Sequence, residues 1–314
     1  MKPWLSAIVP VHEGARFLGE TLEAAAAQRP DGVEFLLYDS SDDNGACRDI
    51  ARNFAGRMDI RHVPTPECKP WTAKTNRGVA EARADHIAML HQDDLWLDGH
   101  LEAVRAAIAQ APGAVMSIGP SHFVSVSGEK VGQWRLPFAP GLHAGSRLAE
   151  KLIVQNSIAI PSPVIRREAW LAVGGMDEAL WYTADWELYL KLMAAGPVMV
   201  RKPATTAFRL HGSSLTMTGS RNAADLRAQL ETVLDRHIAA IPPERRHRQG
   251  RLALAAIAAN CALAAGSRRD WRTAIRGLRP LLALGPLGLA RFLEATRLIE
   301  RVMPRLRLSL AGRM

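Results

Sequence analysis

Four short apolar runs, each followed by a segment with helical spacing, fill roughly the first 95 residues. The runs are residues 5–11 (LSAIVPV), 33–38 (VEFLLY), 58–63 and 86–90. Between them, Phe17, Leu18, Thr21, Leu22 and Ala25 fall on one helical face, residues 46–55 follow a polar turn, and Thr72–Arg83 forms a third helical stretch. This β-α-β-α-β-α-β order predicts an α/β fold: a mostly parallel sheet with helices on both faces. Pro10 is tolerated near the end of the first strand, where a missing N–H costs little. In such open sheets, ligands collect in the crevice beyond the carboxyl ends of the strands.

Acidic residues sit at those ends. The fourth run stops abruptly at His91, Gln92, Asp93 and Asp94, before Leu95 and Trp96. Adjacent carboxylates repel and are costly to bury unpaired. A divalent cation sharing a phosphate-bearing ligand relieves that cost, because hard Mg²⁺ and Mn²⁺ prefer oxygen ligands. The alternative is that both acids cap a following helix. Asp39 closes the second run. It could accept N–H from a nucleobase or O–H from a ribose, or fix the Asp39–Gly45 turn through its own side chain.

Beyond Trp96 the pattern predicts a helix over 98–110, strands at 114–118 and 121–126, an irregular loop over 133–145 and a helix near 146–154. A strand-like run at 158–165 is broken by Pro161 and Pro163. Asp185–Ala195 forms an amphipathic helix, and residues 197–210 form another strand-like run ending in RLHGSS. Hydrophobic residues make up 48% of the chain, enough for a folded core. Three scattered cysteines (Cys47, Cys68, Cys261) suggest neither a disulfide framework nor a zinc site, which fits a reducing compartment. No N-terminal leader pattern is read, and no uninterrupted apolar stretch reaches the ~18 residues of a membrane span.

The net charge of +9 is unevenly placed. Residues 1–241 carry −2, whereas 242–314 carry 15 arginines against 4 acids, +11. The high pI therefore describes the tail, which weighs against a nucleic-acid binder. The composition change divides the chain into a main domain, 1–241, and 242–314, an Arg-, Ala- and Leu-rich helical appendage.

VPVHEGARFLGETLEAAAAQ, EFLLYDSSDDNG and KTNRGVAEARADHIAMLHQDD, followed by GGMDEALWYTADWELYLKL and RLHGSS, occur in an order that resembles family 2 glycosyltransferases of the GT-A fold, over about residues 5–215. The resemblance implies a GT-A-like, mixed but mostly parallel sheet. It implies that Pro10, Val11 and Glu13 line a nucleotide site, with Asp39 on the base or ribose. Asn76 and Gly78 would approach the nucleotide or hold their helix in place. Asp93 would be the main metal-bridging acid, with Asp94 beside it at the metal and Gln92 on the nucleotide sugar. His211 would help with the metal or the diphosphate, and Asp185 would be the general base. His91 stands where the family usually has the first Asp of its Asp-x-Asp motif, and His suits Mn²⁺ better than Mg²⁺. Ala184 replaces a family Glu, and Ser40 a family Asp.

The implied function is a metal-dependent (Mn²⁺ or Mg²⁺) inverting transfer of a sugar from a nucleotide-diphosphate sugar to a hydroxyl of a glycan or lipid-linked acceptor, as in cell-envelope polysaccharide synthesis. Asp185 opens a helix behind Trp181, Tyr182 and Trp186, and apolar neighbours raise a carboxylate's basicity. Glu187 is the runner-up. Trp181 and Tyr182 either stack on an acceptor sugar or pack in the core. His91 and Ala184 also suit a sugar-nucleotide-binding scaffold without catalysis. A nucleotidyltransferase would need a Gly-rich basic loop, for which HEGARF is a poor match. The tail reads either as peripheral contact with an anionic membrane or as a cap on the main domain. The expected location is cytoplasmic, peripheral on the inner face of the cell membrane.

Overall fold

The first strand, β1 (Leu5–Val11), is buried at every position, as a run without polar alternation demands. The computed structural model describes residues 2–214 and 222–312. After β1 come α1 (Ala15–Ala26), β2 (Val33–Asp39), α2 (Ala46–Arg52), β3 (Asp59–Pro64), α3 (Trp71–Glu81) and β4 (His86–Met89). Strands β1, β2, β3 and β4 pair in parallel. Phe17, Leu18, Thr21, Leu22 and Ala25 are the buried face of α1. Ile8 O accepts from Leu90 N beyond the last β1–β4 pair, Ile8 with Met89. By alternation, Pro10 turns its nitrogen to that same side, where no strand remains to need a donor.

The chain continues through β5 (Leu95–Trp96), α4 (His100–Gln110), β6 (Met116–Ile118), β7 (Ser121–Val124), β8 (Lys130–Trp134), β9 (Gly141–His143), α5 (Gly145–Leu152), β10 (Val164–Arg166), α6 (Arg167–Ala172), α7 (Ala184–Ala195), β11 (Val198–Val200) and β12 (Thr206–Arg209). The main sheet has eight strands in the order β3-β2-β1-β4-β10-β6-β11-β9, with β10 and β9 antiparallel to their neighbours. A second sheet is ordered β5-β12-β7-β8. Leu95 and Trp96 pair with β12, so the acidic turn before them joins the two sheets.

Three expected elements differ. The run 197–210 is two strands in two sheets, since Pro203 lies between them. The strand expected at 158–165 begins only at Val164, past Pro161 and Pro163. The expected loop 133–145 contains the end of β8 and the edge strand β9.

The tail is helical: α8 (Ala223–His237), α9 (Pro243–Ser267), α10 (Trp271–Gly277), α11 (Arg279–Leu282), α12 (Gly285–Thr296) and α13 (Leu298–Leu310). By length and composition α9 could cross a membrane, yet more than half of its apolar stretch is buried in the protein. Its Leu252, Ala253, Ile257 and Ala259 share one core with Ile165, Leu188 and Leu192.

Candidate active site at the carboxyl ends of the strands

The loops after β1, β2 and β4 are knitted together. His12 N donates to Gln92 Oε1 at 2.8 Å, and Gln92 Nε2 donates back to His12 O at 3.0 Å. Asp42 N donates to Glu13 Oε1 at 2.8 Å, and Glu13 N to Ser41 Oγ at 2.7 Å. Glu13 holds φ +51°, a conformation rare for a side-chain-bearing residue. Glu13 and Gln92 thus shape the loop rims through their own hydrogen bonds. Beneath them is a buried cation absent from the sequence reasoning. Lys74 Nζ donates to Val11 O at 2.5 Å and to Ser40 Oγ at 2.9 Å, and burial lowers its pKa to about 8. The KTNRG segment was the signal, but only its Asn and Gly were read.

Asp39 accepts from Ser41 N at 2.8 Å and contacts His62 Nε2 at 2.8 Å. Burial pushes its carboxyl up, but the His62 and Ser41 hydrogen bonds outweigh this and hold it below the usual range. Asn76 is committed elsewhere: its amide nitrogen donates to Met176 O and Glu178 Oε1, and its oxygen accepts from Met176 N. It ties α3 to the Gly-Gly-Met-Asp-Glu loop. A Cβ on Gly78 would stand 2.6 Å from Ile8 Cγ2, so this glycine lets α3 approach β1. Of the two roles open to Asn76 and Gly78, holding the helix is the one the geometry displays.

His91, Asp93 and Asp94 bring ligand atoms within 4.8 Å of one another. Asp93 Oδ2 contacts His211 Nε2 at 2.7 Å, and His211 Nδ1 contacts Ser213 Oγ at 2.9 Å. Asp94 Oδ1 accepts from Arg209 N at 3.1 Å. Its Oδ2, like His91 Nε2, is buried with no hydrogen-bond partner among the described residues. Burial, and then the charge of Asp93, raise Asp94 well above the carboxylate range. For Asp93, burial acts upward, but the His211 hydrogen bond and the charges of His91 and His211 bring it below. Burial lowers the His91 pKa, which favours the neutral imidazole that ligates metals. A carboxylate oxygen and an imidazole nitrogen left unpartnered in this group fit a divalent cation, and a nitrogen ligand suits Mn²⁺.

Arg209 was also missed, because RLHGSS was read only for its His. Its guanidinium is fully buried and donates to Asp93 O at 2.9 Å, Val126 O at 2.8 Å and Glu20 Oε2 at 2.8 Å. It clamps the acidic turn from the second sheet.

Asp185 lies in the first turn of α7. Asn156 Nδ2 donates to its Oδ2 at 2.8 Å, and Trp186 N to its Oδ1 at 2.8 Å. Burial dominates these bonds and raises its pKa to about 6. Glu187 instead pairs with Lys191 at 2.9 Å. The base segment and the acidic turn meet through Trp71, whose indole donates to Trp181 O at 2.8 Å and sits edge-on to His91, 5.1 Å between centroids. Trp181 spends its own indole N–H on Asp225, 2.7 Å away. Tyr182 is half-buried beside Asp185.

A model of the family described as Glycosyl transferase family 2 matches residues 6–163, half of the chain. The chain belongs to glycosyltransferase family 2. The match covers the strand ends of Asp39 and Asp93, whereas Asp185 and His211 lie beyond it. A Rickettsia felis protein named as an uncharacterized glycosyltransferase is 22% identical over 227 residues, 67% of this chain but 34% of that protein. One from Haemophilus influenzae is 23% identical over 236 residues, 70% of this chain and 74% of that protein. The chain thus spans about a third of the Rickettsia felis relative. Among solved structures, Staphylococcus aureus TarS 1–349 in complex with UDP-GlcNAc aligns with TM-score 0.58 and 14% identity, over 89% of this chain and 91% of that one. The Pyrobaculum calidifontis mannosyltransferase PcManGT in complex with GDP-Man and Mn²⁺ aligns with TM-score 0.55 and 16% identity, over 98% and 88%. The expected family 2 membership and GT-A-like α/β fold are borne out.

Proposed function

We propose that this chain is an inverting, Mn²⁺-dependent glycosyltransferase that moves a sugar from a nucleotide-diphosphate donor to an acceptor hydroxyl. One observation carries the reading: the His91–Asp93–Asp94 cluster and the raised-pKa Asp185 are joined through Trp71 at the carboxyl ends of the strands, with Asp39 at the neighbouring strand end. Asp39 receives the nucleoside. His91, Asp93 and Asp94 hold the cation, with His211 bracing Asp93; bound there, the metal supplies Lewis-acid stabilisation of the leaving diphosphate. Asp185 takes the proton of the acceptor hydroxyl as that oxygen bonds to the anomeric carbon from the face opposite the departing diphosphate oxygen. The carbon–diphosphate bond breaks, and configuration inverts. A thermal-shift screen of nucleotide sugars should reveal one donor that raises Tm only when Mn²⁺ is present. A chain that no donor stabilises with Mn²⁺ would not be this enzyme.

The same reading takes a lipid surface as neighbour, on the inner face of the cell membrane. Ten of the fourteen exposed large hydrophobic side chains among the described residues fall within 271–310, including Trp271, Ile275, Leu282, Leu287 and Leu310. Arg268, Arg269, Arg272, Arg276 and Arg279 interleave with the first of these. Apolar anchors among cations match an anionic bilayer, where each basic residue near the surface adds about 1 kcal/mol. The chain should sediment with phosphatidylglycerol-containing vesicles and not with pure phosphatidylcholine, and Leu282→Glu should weaken this. Equal sedimentation with both, or with neither, would refute it.

A further inference from the structure

The last helix, α13, packs on β8 of the second sheet. Pro304 lies against Gly132 of β8, so close that a Cβ there would stand 2.6 Å from Pro304 Cγ. Leu308 packs with Phe123, Trp134, Ala159 and Leu210, and Leu210 precedes His211. At the other end, Arg301 Nη1 donates at 3.1 Å to the Gln155 side chain when that amide offers its oxygen, and Gln155 precedes Asn156, the donor to Asp185. One helix therefore touches both Gln155, next to the Asp185 donor Asn156, and Leu210, next to His211.

Two of its arginines are poorly satisfied. Arg297, Arg301 and Arg305 are spaced by four, hence on one face. Arg297 pairs with Glu300 at 3.6 Å. Among the described residues, Arg301 and Arg305 have no carboxylate partner. Arg301 Nε is buried without a hydrogen bond. Among the described residues, Arg305 Nη1 donates to Arg301 O, at 2.6 Å. Their guanidiniums stack over Trp134 (5.7 Å) and Phe123 (5.1 Å), and both act electrostatically on Tyr182, as Asp185 does. Burial pushes both guanidiniums down, Arg305 to about 10. Two neighbouring, partly desolvated cations with spare donors are the complement of a multivalent oxyanion, which guanidinium forks bind bidentately.

We propose that Arg301 and Arg305 form an anion site for the acceptor, which carries a phosphate or diphosphate group near the hydroxyl presented to Asp185. This rests on the glycosyltransferase reading. A diphosphate would come from a lipid carrier and a single phosphate from a phosphodiester polymer. The test is calorimetry on the full chain in EDTA, which removes the metal-dependent donor site, with sodium pyrophosphate in one arm and inorganic phosphate in the other at constant ionic strength. Wild type should bind at least one saturably. Arg301→Gln and Arg305→Gln should each weaken binding about tenfold or more, and Asp93→Asn should leave it unchanged. Tighter pyrophosphate binding selects the lipid-carrier source, and equal binding the polymer. No binding to wild type, or equal binding to wild type and both arginine variants, overturns the proposal. Retained Mn²⁺-dependent donor stabilisation in the variants shows that they fold. Its absence in wild type would count against the enzyme reading, while the phosphate result stands separately. If Arg301→Gln does not fold, Arg305→Gln alone decides.

Discussion

Asp185→Asn should lower kcat for sugar transfer by about 10²–10⁴-fold, the range of general-base contributions, while leaving Mn²⁺-dependent donor binding intact. The reason is geometric. The carboxylate accepts from Asn156 on Oδ2 and from the Trp186 amide on Oδ1; an asparagine has nearly the same shape and keeps one of these acceptor bonds, but it cannot take a proton. The pH dependence follows with a definite sign. The groups facing Asp185 are the Asn156 amide, Tyr182 and Tyr189, with Arg301 and Arg305 beyond Tyr182. Burial raises the Asp185 pKa to about 6. Below that value the base is protonated and idle, and above it ionised and competent. kcat/KM should rise through about pH 6 and then level off, and the Asn variant should lose this limb. A variant that retains wild-type kcat, or a profile flat between pH 5 and 8 in wild type, would remove Asp185 from the reaction.

The second large effect is expected at Asp93. Asp93→Asn removes the charge that the His91–Asp94 cluster shares and weakens the contact to His211. A Lewis acid at a departing diphosphate contributes several kcal/mol, and 1.36 kcal/mol is tenfold. The variant should therefore lose on the order of 10³-fold in kcat/KM, and added Mn²⁺ should no longer shift its melting temperature in the presence of donor. The Arg209 guanidinium holds the Asp93 carbonyl and its main-chain N–H holds the Asp94 carboxylate, neither of which involves the Asp93 side chain, so the turn should keep its shape. Metal titration followed by Mn²⁺ electron paramagnetic resonance checks this directly: one bound ion in wild type, none in the variant. Equal Mn²⁺ binding by both would show that the ion sits elsewhere.

Much of this site was legible in the residues themselves. Hydrophobic runs of strand length alternating with helical spacing leave few architectures open, and an acid at the end of a buried parallel strand must emerge at the ligand crevice. Asp39, Asp93 and Asp94 were found by that logic, and the fall of Phe17, Leu18 and Leu22 on one face of α1 by periodicity. Asp185 needed the family resemblance, because an acid in the first turn of a helix is otherwise an ordinary helix-dipole partner. Strand lengths after residue 110 were less legible. Prolines at 161, 163 and 203 announce interruptions but do not say which sheet the chain enters next.

What local pattern could not reveal was the set of buried cations. Lys74 and Arg209 look like surface residues in a linear reading, since basic side chains are rarely buried. Only folding shows that their charged ends reach main-chain carbonyls and acids far away in sequence, Glu20 across to Arg209 among them. The same holds for α13. Its arginines count in the sequence only toward a basic tail, and tertiary packing sets two of them over Trp134 and Phe123, within electrostatic reach of Tyr182. The sequence alone therefore determined the first four parallel strands, their acidic ends and the charge asymmetry between the two parts of the chain, because those depend on local spacing and composition. The tertiary structure decided which cations stand behind those acids and where the tail lies, because long-range hydrogen bonds and desolvation exist only once distant segments meet.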